Sequence, residues 1–241
     1  MIIMKVSVVI PVYNEEKLIK NCLDSLMNQT EKPDEIIVVD NNCTDKTINI
    51  VKKYSVVKII QEKKQGMTPA RNTGFNNTRH EIIIKCDADS ILPSDWIKNI
   101  KNDFSRNSDI VAISMPIKLN DICLIGHNTI PFYIYVFIPM LMIGFYPLIG
   151  PGYAIKKITW NKIKNEICFN DKKVHEDIDI SFHLKKRGKI FHDGKNAVTS
   201  SARRIINNPF SFFGEYIYRF FKMYWSHRHL INGSYVEALL V

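Results

Sequence analysis

The chain has 241 residues, 46% of them hydrophobic and 24% charged, which is enough for one large domain with a substantial core and argues against intrinsic disorder. Its formal charge of +9 favours an anionic partner, such as nucleic acid, anionic lipid or a phosphorylated small molecule. The five cysteines are scattered, without a C-x-x-C pair, and favour reduced thiols in the cytosol over a disulfide framework or a zinc site.

The first half of the chain alternates between two kinds of segment. The N-terminal apolar run is short and interrupted by Pro11, so it predicts a first strand rather than a signal peptide. Strands are predicted at residues 5–14, 34–42, 81–89 and 109–117, and helices at 15–29, 43–54 and 93–104. This alternation predicts an α/β fold with a Rossmann-like, mostly parallel sheet flanked by helices.

Acidic residues follow three of the predicted strands. Glu15 comes after the first strand, Asp40 after the second, and Asp87 with Asp89 after a later one. Ligands bind at the carboxyl ends of parallel strands, so this placement indicates a site. Two carboxylates at i and i+2 can face one hard cation, Mg²⁺ or Mn²⁺, which would neutralise a diphosphate leaving group. The D-x-D pair alone is a weak signal, because it occurs by chance in many acidic surface turns.

A second acidic cluster lies in the segment HEDIDIS, which begins a predicted helix ended by Gly188. Glu176, Asp177 and Asp179 are more acids than a helix start needs for a favourable dipole interaction. One alternative is a capped, solvated helix N-terminus. The other is a general base, in which one carboxylate deprotonates an acceptor hydroxyl as it attacks.

The composition changes in the middle of the chain, where residues 122–155 contain no Asp, Glu, Lys or Arg. This stretch exceeds the roughly 20 residues of a spanning helix, but Pro131, Pro139 and Pro147 would break or kink a straight helix. Three interpretations remain open: a membrane span, an interfacial segment or hydrophobic acceptor groove, and a buried core. The interfacial segment or acceptor groove is favoured.

The C-terminal segment, residues 206–241, is rich in aromatic and basic residues, with apolar side chains at helical spacing. It predicts an amphipathic helix that either docks on the core or lies on an anionic membrane surface. The basic residues are dispersed and no recognition motif is present, so nucleic-acid binding is not expected.

Six motifs, in order, carry a resemblance to a known family. They are VSVVIPVYNEEKLIKNCLDSLMNQ, EIIVVDNNCTDKT, GMTPARNTG, CDADSIL, GPGYAIKK and HEDIDISFHLKKRG. Over residues 4 to about 204 they resemble the inverting glycosyltransferases of family 2, which have the glycosyltransferase A-type (nucleotide-diphospho-sugar transferase) fold. Six motifs in the right order are far more specific than any one of them.

The resemblance implies a nucleotide-sugar pocket lined by Pro11, Tyr13, Glu15, Asp40, Arg71, Asn72 and Asp87. Asp40 would hydrogen-bond the base. Arg71 and Asn72 would lie near the ribose and diphosphate, with the alternative that Arg71 braces the loop structurally.

The resemblance also implies the metal and the catalytic roles. Asp89 would be the more direct ligand of Mn²⁺ or Mg²⁺, and Asp87 would lie against the metal and the ribose. Asp177 would be the catalytic base, and Glu176 would assist the acceptor or orient the site. Attack from the face opposite the nucleotide would invert the anomeric carbon.

The sequence departs from the family pattern in several places, and His183 stands where the family often has arginine. Asn41, Asn42 and Cys43 replace the usual acid, glycine and serine, which leaves UDP or GDP preference open. The region that often carries a histidine after the last catalytic strand reads AVTSSARR. Arg203 and Arg204 could contact the diphosphate in its place, although a solvated basic turn explains them nearly as well.

These features together predict a metal-dependent inverting glycosyltransferase with a nucleotide-diphospho-sugar donor and a glycan or lipid-linked acceptor. It would be cytoplasmic and peripheral at the inner face of the cell membrane. Residues 1–115 would bind the nucleotide sugar, 116–205 the acceptor, and 206–241 would contact the membrane. The alternatives are a sugar-phosphate nucleotidyltransferase, disfavoured because PVYNEE lacks the glycine-rich loop of those enzymes, and an inactive membrane-binding pseudo-transferase.

Overall fold

A computed structural model describes residues 4–121, 128–169 and 175–227. Its strands are β1 (Val6–Val12), β2 (Glu35–Asp40), β3 (Val57–Gln61), β4 (Ile82–Cys86), β5 (Ile110–Ser114), β6 (Ile117–Leu119), β7 (Gly152–Lys156), β8 (Lys189–His192) and β9 (Val198–Ser200). Its helices are α1 (Ile19–Met27), α2 (Thr47–Val51), α3 (Met67–Asn76), α4 (Trp96–Arg106), α5 (Ile130–Ile143), α6 (Lys157–Ile163), α7 (Glu176–Lys185), α8 (Arg203–Asn207) and α9 (Pro209–His227).

Seven of these strands form one sheet in the order β3-β2-β1-β4-β7-β5-β8. β1 pairs in parallel with β2 and β4, β2 with β3, and β5 with β8. The strands β1 and β4 are buried along their whole length, as expected for apolar, β-branched runs covered on both faces. The predicted α/β architecture with a mostly parallel sheet is confirmed.

β7 is the exception to the parallel arrangement. It lies between β4 and β5 and is antiparallel to both, with Ile84 opposite Ala154 and Cys86 opposite Gly152. A second sheet of two short parallel strands, β6 and β9, lies beyond the carboxyl end of β5. The insertion of β7 brings the turn at Gly150 next to the end of β4, because the two strands run in opposite directions.

Two hydrophobic clusters cover the two faces of the sheet. The odd and even positions of each strand point to opposite faces, so Val8 and Ile84 join the cluster that contains α1 and α4. Val9 and Ile83 join the other cluster, which contains α3, α6 and α7. Lys85 follows Ile84, and its side chain therefore points to the face covered by α3 and α7.

The predicted apolar middle segment forms α5 and the turn that follows it, while its first residues, 122–127, lie outside the described part of the chain. Pro139 is accommodated inside α5, and the helix ends at Gly144, which adopts a left-handed φ of 77°. Pro131 lies in the first turn, where its missing N–H has no helical partner to lose.

The predicted C-terminal helix is present as α9, and residues 228–241 lie outside the described part of the chain. Phe220 and Met223 of α9 are buried in the cluster with α7, whereas Ile217, Tyr218 and Trp225 are exposed. Within residues 4–121, 128–169 and 175–227, no helix combines the length and the apolarity needed to cross a bilayer.

Candidate functional site

The first part of the site lies at the carboxyl end of β4, where the chain leaves the sheet as Asp87-Ala88-Asp89. The backbone N–H of Asp87 donates to the carbonyl of Pro151 (3.1 Å), so the loop is fixed to the turn that precedes β7. Both carboxylates are partly exposed. Burial, followed by the charge of Asp87, raises the pKa of Asp89 to about 6, while Arg203 and the Ser200 hydroxyl act in the opposite direction.

The second part connects this loop to distant segments of the chain. Ser200 Oγ at the end of β9 donates to Asp89 Oδ1 (3.2 Å). Arg203, at the start of α8, forms an ion pair with Glu15 and lies 3.8 Å from Asp89 Oδ2. Two predicted residues from opposite ends of the chain, Glu15 and Arg203, are thus brought together beside the D-x-D loop. The side chain of Arg204 lies outside what the structure describes.

The third part is the carboxyl end of β2, where Asp40 is the last residue of the strand, together with the loop that follows. Asp40 Oδ1 accepts a hydrogen bond from the Cys43 N–H (2.9 Å). Asn42 has a φ of 67°, a left-handed conformation that asparagine tolerates better than most residues, and it stands where the related motif has glycine. Asn41 fixes the neighbouring loop by donating to the carbonyls of Glu62 (2.9 Å) and Lys64 (2.8 Å).

A buried ionic cluster lies beneath these loops, on the α3 and α7 face of the sheet. Asp177 Oδ2 lies 3.7 Å from Lys85 Nζ and accepts from the Gly150 N–H (3.2 Å), and Asp177 Oδ1 lies 3.8 Å from Arg71 Nη1. Lys85 Nζ also lies 2.9 Å from Asp87 Oδ1. Tyr153 of β7 closes the cluster, with its ring 5.6 Å from Lys85 Nζ. Burial and the charge of Asp177 raise the pKa of Tyr153 well above its ordinary value.

The three acids in the first turn of α7 have different surroundings. Asp177 points to the ionic cluster, whereas Asp179 Oδ2 accepts from the Cys168 N–H (2.8 Å) and supports the loop before α7. Glu176 is partly exposed beside the cluster, close enough for its charge to act on Lys85. Two of the three acids are therefore buried, Asp177 in the ionic cluster and Asp179 against the loop before α7, and Glu176 is partly exposed.

The oxygen ligands at the end of β4 suit a hard divalent cation. Burial and then the charge of Asp87 disfavour the ionised form of Asp89 and raise its pKa, and a cation bound between the two carboxylates would offset both effects. In the parts of the chain that the structure describes, no group of three or more His, Cys, Asp or Glu side chains converges as a metal site. Mg²⁺ is commonly held by one or two carboxylates together with substrate phosphates and water, so the two aspartates fit such an ion.

Tyr13 and Arg71, which were both predicted to line the nucleotide pocket, differ in their exposure to solvent. Tyr13 is exposed, whereas Arg71 is fully buried and its Nε and Nη2 donate to Asn72 Oδ1 (3.1 and 3.0 Å). The buried guanidinium favours the alternative that Arg71 braces the loop over direct contact with ribose.

Sequence reasoning missed Lys85 and Ser200. A lysine inside an otherwise apolar strand was the available signal for Lys85. Nothing local marks Ser200, whose contact with Asp89 depends on the position of β9.

Comparison with known proteins agrees with the fold. The family model described as "Glycosyl transferase family 2" matches residues 7–169. "Glycosyltransferase GlyA" of Streptococcus pneumoniae is 35% identical over 121 residues, which is 48% of this chain and 17% of that protein. The "Poly(ribitol-phosphate) beta-glucosyltransferase" of Bacillus spizizenii is 41% identical over 118 residues, 46% of this chain and 19% of that protein. The chain thus spans less than a fifth of the length of either relative.

Among solved structures, the mannosyltransferase PcManGT from Pyrobaculum calidifontis, in complex with GDP-Man and Mn²⁺, has a TM-score of 0.66 at 20% identity. The match covers 84% of this chain and 58% of that one. At this identity the likeness establishes the fold alone.

Proposed function

Because the chain belongs to glycosyl transferase family 2, we propose that it is a metal-dependent, inverting glycosyltransferase. It moves a sugar from a nucleotide diphospho-sugar to a hydroxyl or lipid-phosphate acceptor in the synthesis of a glycan, glycolipid or cell-envelope polymer. The observation that supports the proposal most is that two acidic sites lie close together near the carboxyl end of β4. Asp87 and Asp89 lie at the end of β4, and Asp177 lies on α7, with one lysine between Asp87 and Asp177.

The donor side is formed by the loops after β1, β2 and β4. Tyr13 is exposed just after β1. Asp40, whose Oδ1 accepts from the Cys43 N–H, would hydrogen-bond the nucleotide base. A divalent ion bound by Asp87 and Asp89 would neutralise charge on the leaving diphosphate. Arg203, which now pairs with Glu15, is a cation with the geometry for phosphate oxygens beside the same loop.

The acceptor side is formed by the first turn of α7 and the Gly150 turn. We assign Asp177 as the base, because among the three acids it is the one fixed beside the D-x-D loop by Lys85 and the Gly150 N–H. Glu176, which is more exposed, orients the acceptor. Removal of the acceptor proton as the hydroxyl attacks the anomeric carbon, opposite the nucleotide, gives inversion.

We also propose peripheral contact with a membrane through α5. Five large apolar side chains lie along one stripe of this helix at spacings of three or four residues, each 54–70% exposed: Ile130, Ile134, Phe137, Ile138 and Leu141. Such a stripe favours insertion into a lipid surface. The cations Arg219 and Lys222 on α9 and the formal charge of +9 favour anionic headgroups.

The proposal is tested by screening UDP- and GDP-sugars for nucleotide release with Mn²⁺, since slow hydrolysis needs no acceptor. We expect one donor class to release nucleotide, and we expect the release to be lost on chelation and in the Asp89→Ala variant. Asp179→Asn is the matched acidic control outside the ionic cluster. Absence of release and of nucleotide binding with every donor would refute the proposal.

A further inference from the structure

Lys85 is a buried cation that contacts carboxylates on both sides of the site. Its side chain is 2% exposed, and its Nζ lies 2.9 Å from Asp87 Oδ1 and 3.7 Å from Asp177 Oδ2. The same nitrogen donates to the Gly150 carbonyl at 3.1 Å. One ammonium thus contacts the D-x-D loop, the first turn of α7 and the turn before β7.

A lysine in this position is unfavourable for the strand itself. Ile82, Ile83 and Ile84, which precede it in β4, are all buried, and an apolar residue would satisfy the packing at position 85 without desolvating a charge. Instead of an apolar side chain, the strand places an ammonium group between a carboxylate at the end of β4 and one on α7.

Lys85 lies inside the sheet, because its strand pairs with β1 on one side and with β7 on the other. Its ammonium contacts both carboxylates that the proposed function uses, Asp87 and Asp177. Lys85 can therefore act on the reaction by holding these two carboxylates in place. Arg71, the other cation of the cluster, lies 3.8 Å from Asp177 and gives the cluster two cations for the two aspartates.

Resting on the proposed function, we propose that Lys85 is a positioning residue that aligns the donor-side carboxylate of Asp87 with the acceptor-side carboxylate of Asp177. With the lysine in place, both acids are fixed to one nitrogen, and the distance between leaving group and base is set by the sheet. Without it, the two carboxylates repel each other across a site that retains one cation, and both move.

The test compares Lys85→Met with Lys85→Arg. Lys101 supplies a matched control, because its Nζ also lies 2.9 Å from one carboxylate (Glu31 Oε1) and 3.7 Å from another (Asp34 Oδ2). Asp34 accepts from the Val6 N–H at the start of β1. Lys101 and its two carboxylates therefore lie at the amino end of β1, away from the proposed site. Lys101→Met should leave kcat unchanged.

We expect Lys85→Met to lower kcat about 100-fold, the usual effect of a small misplacement of reacting groups, with a much smaller change in KM for the donor. Lys85→Arg keeps the charge and should retain more activity than Lys85→Met. The fraction of each variant that can bind nucleotide is measured from the stoichiometry of nucleotide binding. Equal losses in the two Lys85 variants, or a kcat for Lys85→Met within twofold of Lys101→Met, would overturn the proposal.

A double-mutant cycle keeps the test decisive if an active variant is hard to obtain. The Tm losses of Lys85→Met, Asp177→Asn and the double variant should be non-additive, because either single substitution already removes the contact between Lys85 and Asp177. Additive losses would mean that Lys85 does not hold Asp177 and would also overturn the proposal. A wild-type protein that turns over no donor refutes the proposed function and this positioning role together, whereas an active wild type with additive losses refutes Lys85 alone.

Discussion

Asp177→Asn is the substitution with the most direct consequence for the proposed chemistry. The amide has nearly the shape of the carboxylate and can still accept from the Gly150 N–H, but it cannot remove the acceptor proton. Loss of general-base assistance typically lowers a rate by about 10²–10⁴-fold. Nucleotide-sugar binding should survive, because the contacts assigned to the donor lie on the loops after β1, β2 and β4.

The same substitution should also lower stability by an amount that the cluster geometry sets. Removing one partner of a buried ion pair typically costs about 3–5 kcal/mol. Here the cations lie 3.7 and 3.8 Å away, and Lys85 keeps its 2.9 Å contact with Asp87, so we expect the lower end, about 3 kcal/mol. At roughly 2–4 °C per kcal/mol for a chain of this size, Tm should fall by roughly 6–12 °C.

The assay is donor turnover and nucleotide binding, both measured well below the lowered Tm, with Glu176→Gln as the neighbouring control. We expect Asp177→Asn to lose turnover and keep binding, and Glu176→Gln to lose less activity and little stability. If Asp177→Asn keeps turnover within tenfold of wild type while Glu176→Gln abolishes it, the base is Glu176 and the assignment is wrong.

Three further variants probe other parts of the molecule. Asp89→Ala should weaken nucleotide binding more than tenfold with Mn²⁺ and little without it; calorimetry that finds equal affinity in both conditions would remove the metal assignment. Burial and the neighbouring Asp193 raise the pKa of Asp103 to about 6. Between about pH 4 and 6 the native state therefore binds more protons than the unfolded state, and the free energy of unfolding falls as pH rises through that range. Asp103→Asn should therefore raise the free energy of unfolding at pH 7.5 by roughly 1 kcal/mol, after allowance for solvent screening, with no gain at pH 4.5; equal Tm changes at both values would contradict this. Ile134→Glu with Phe137→Glu should abolish sedimentation with anionic vesicles while leaving Tm within a few degrees, because both side chains are exposed; unchanged sedimentation would exclude α5 as the contact.

Local sequence patterns predicted the elements that their own residues determine. The apolar runs that became β1, β2, β4 and β5 are buried strands, and the acids that follow them lie at the carboxyl ends of β2 and β4. The motif at Glu176 and Asp177 begins a helix, as expected from its acidic first turn.

The parts that could not be predicted depend on contacts between distant segments. Nothing in the local sequence of residues 152–156 reveals that β7 inserts antiparallel between β4 and β5, and that insertion positions Gly150 beside Asp177. Arg203 reaches Glu15 across 188 residues, and Ser200 reaches Asp89 across 111. The role of Lys85 could not be predicted from its strand, because it depends on Asp87 and Asp177, which only the fold brings to it.

The central claim is direct displacement at a metal-dependent nucleotide-sugar site, and the anomer of the released sugar tests it most directly. Proton NMR would follow hydrolysis of the best donor, with enzyme in large excess so that release outruns mutarotation. With Mn²⁺ present, we expect the first sugar to appear to have the anomeric configuration opposite to that of the donor. First appearance of the donor's own anomer, or equal release after chelation of the metal, would contradict it.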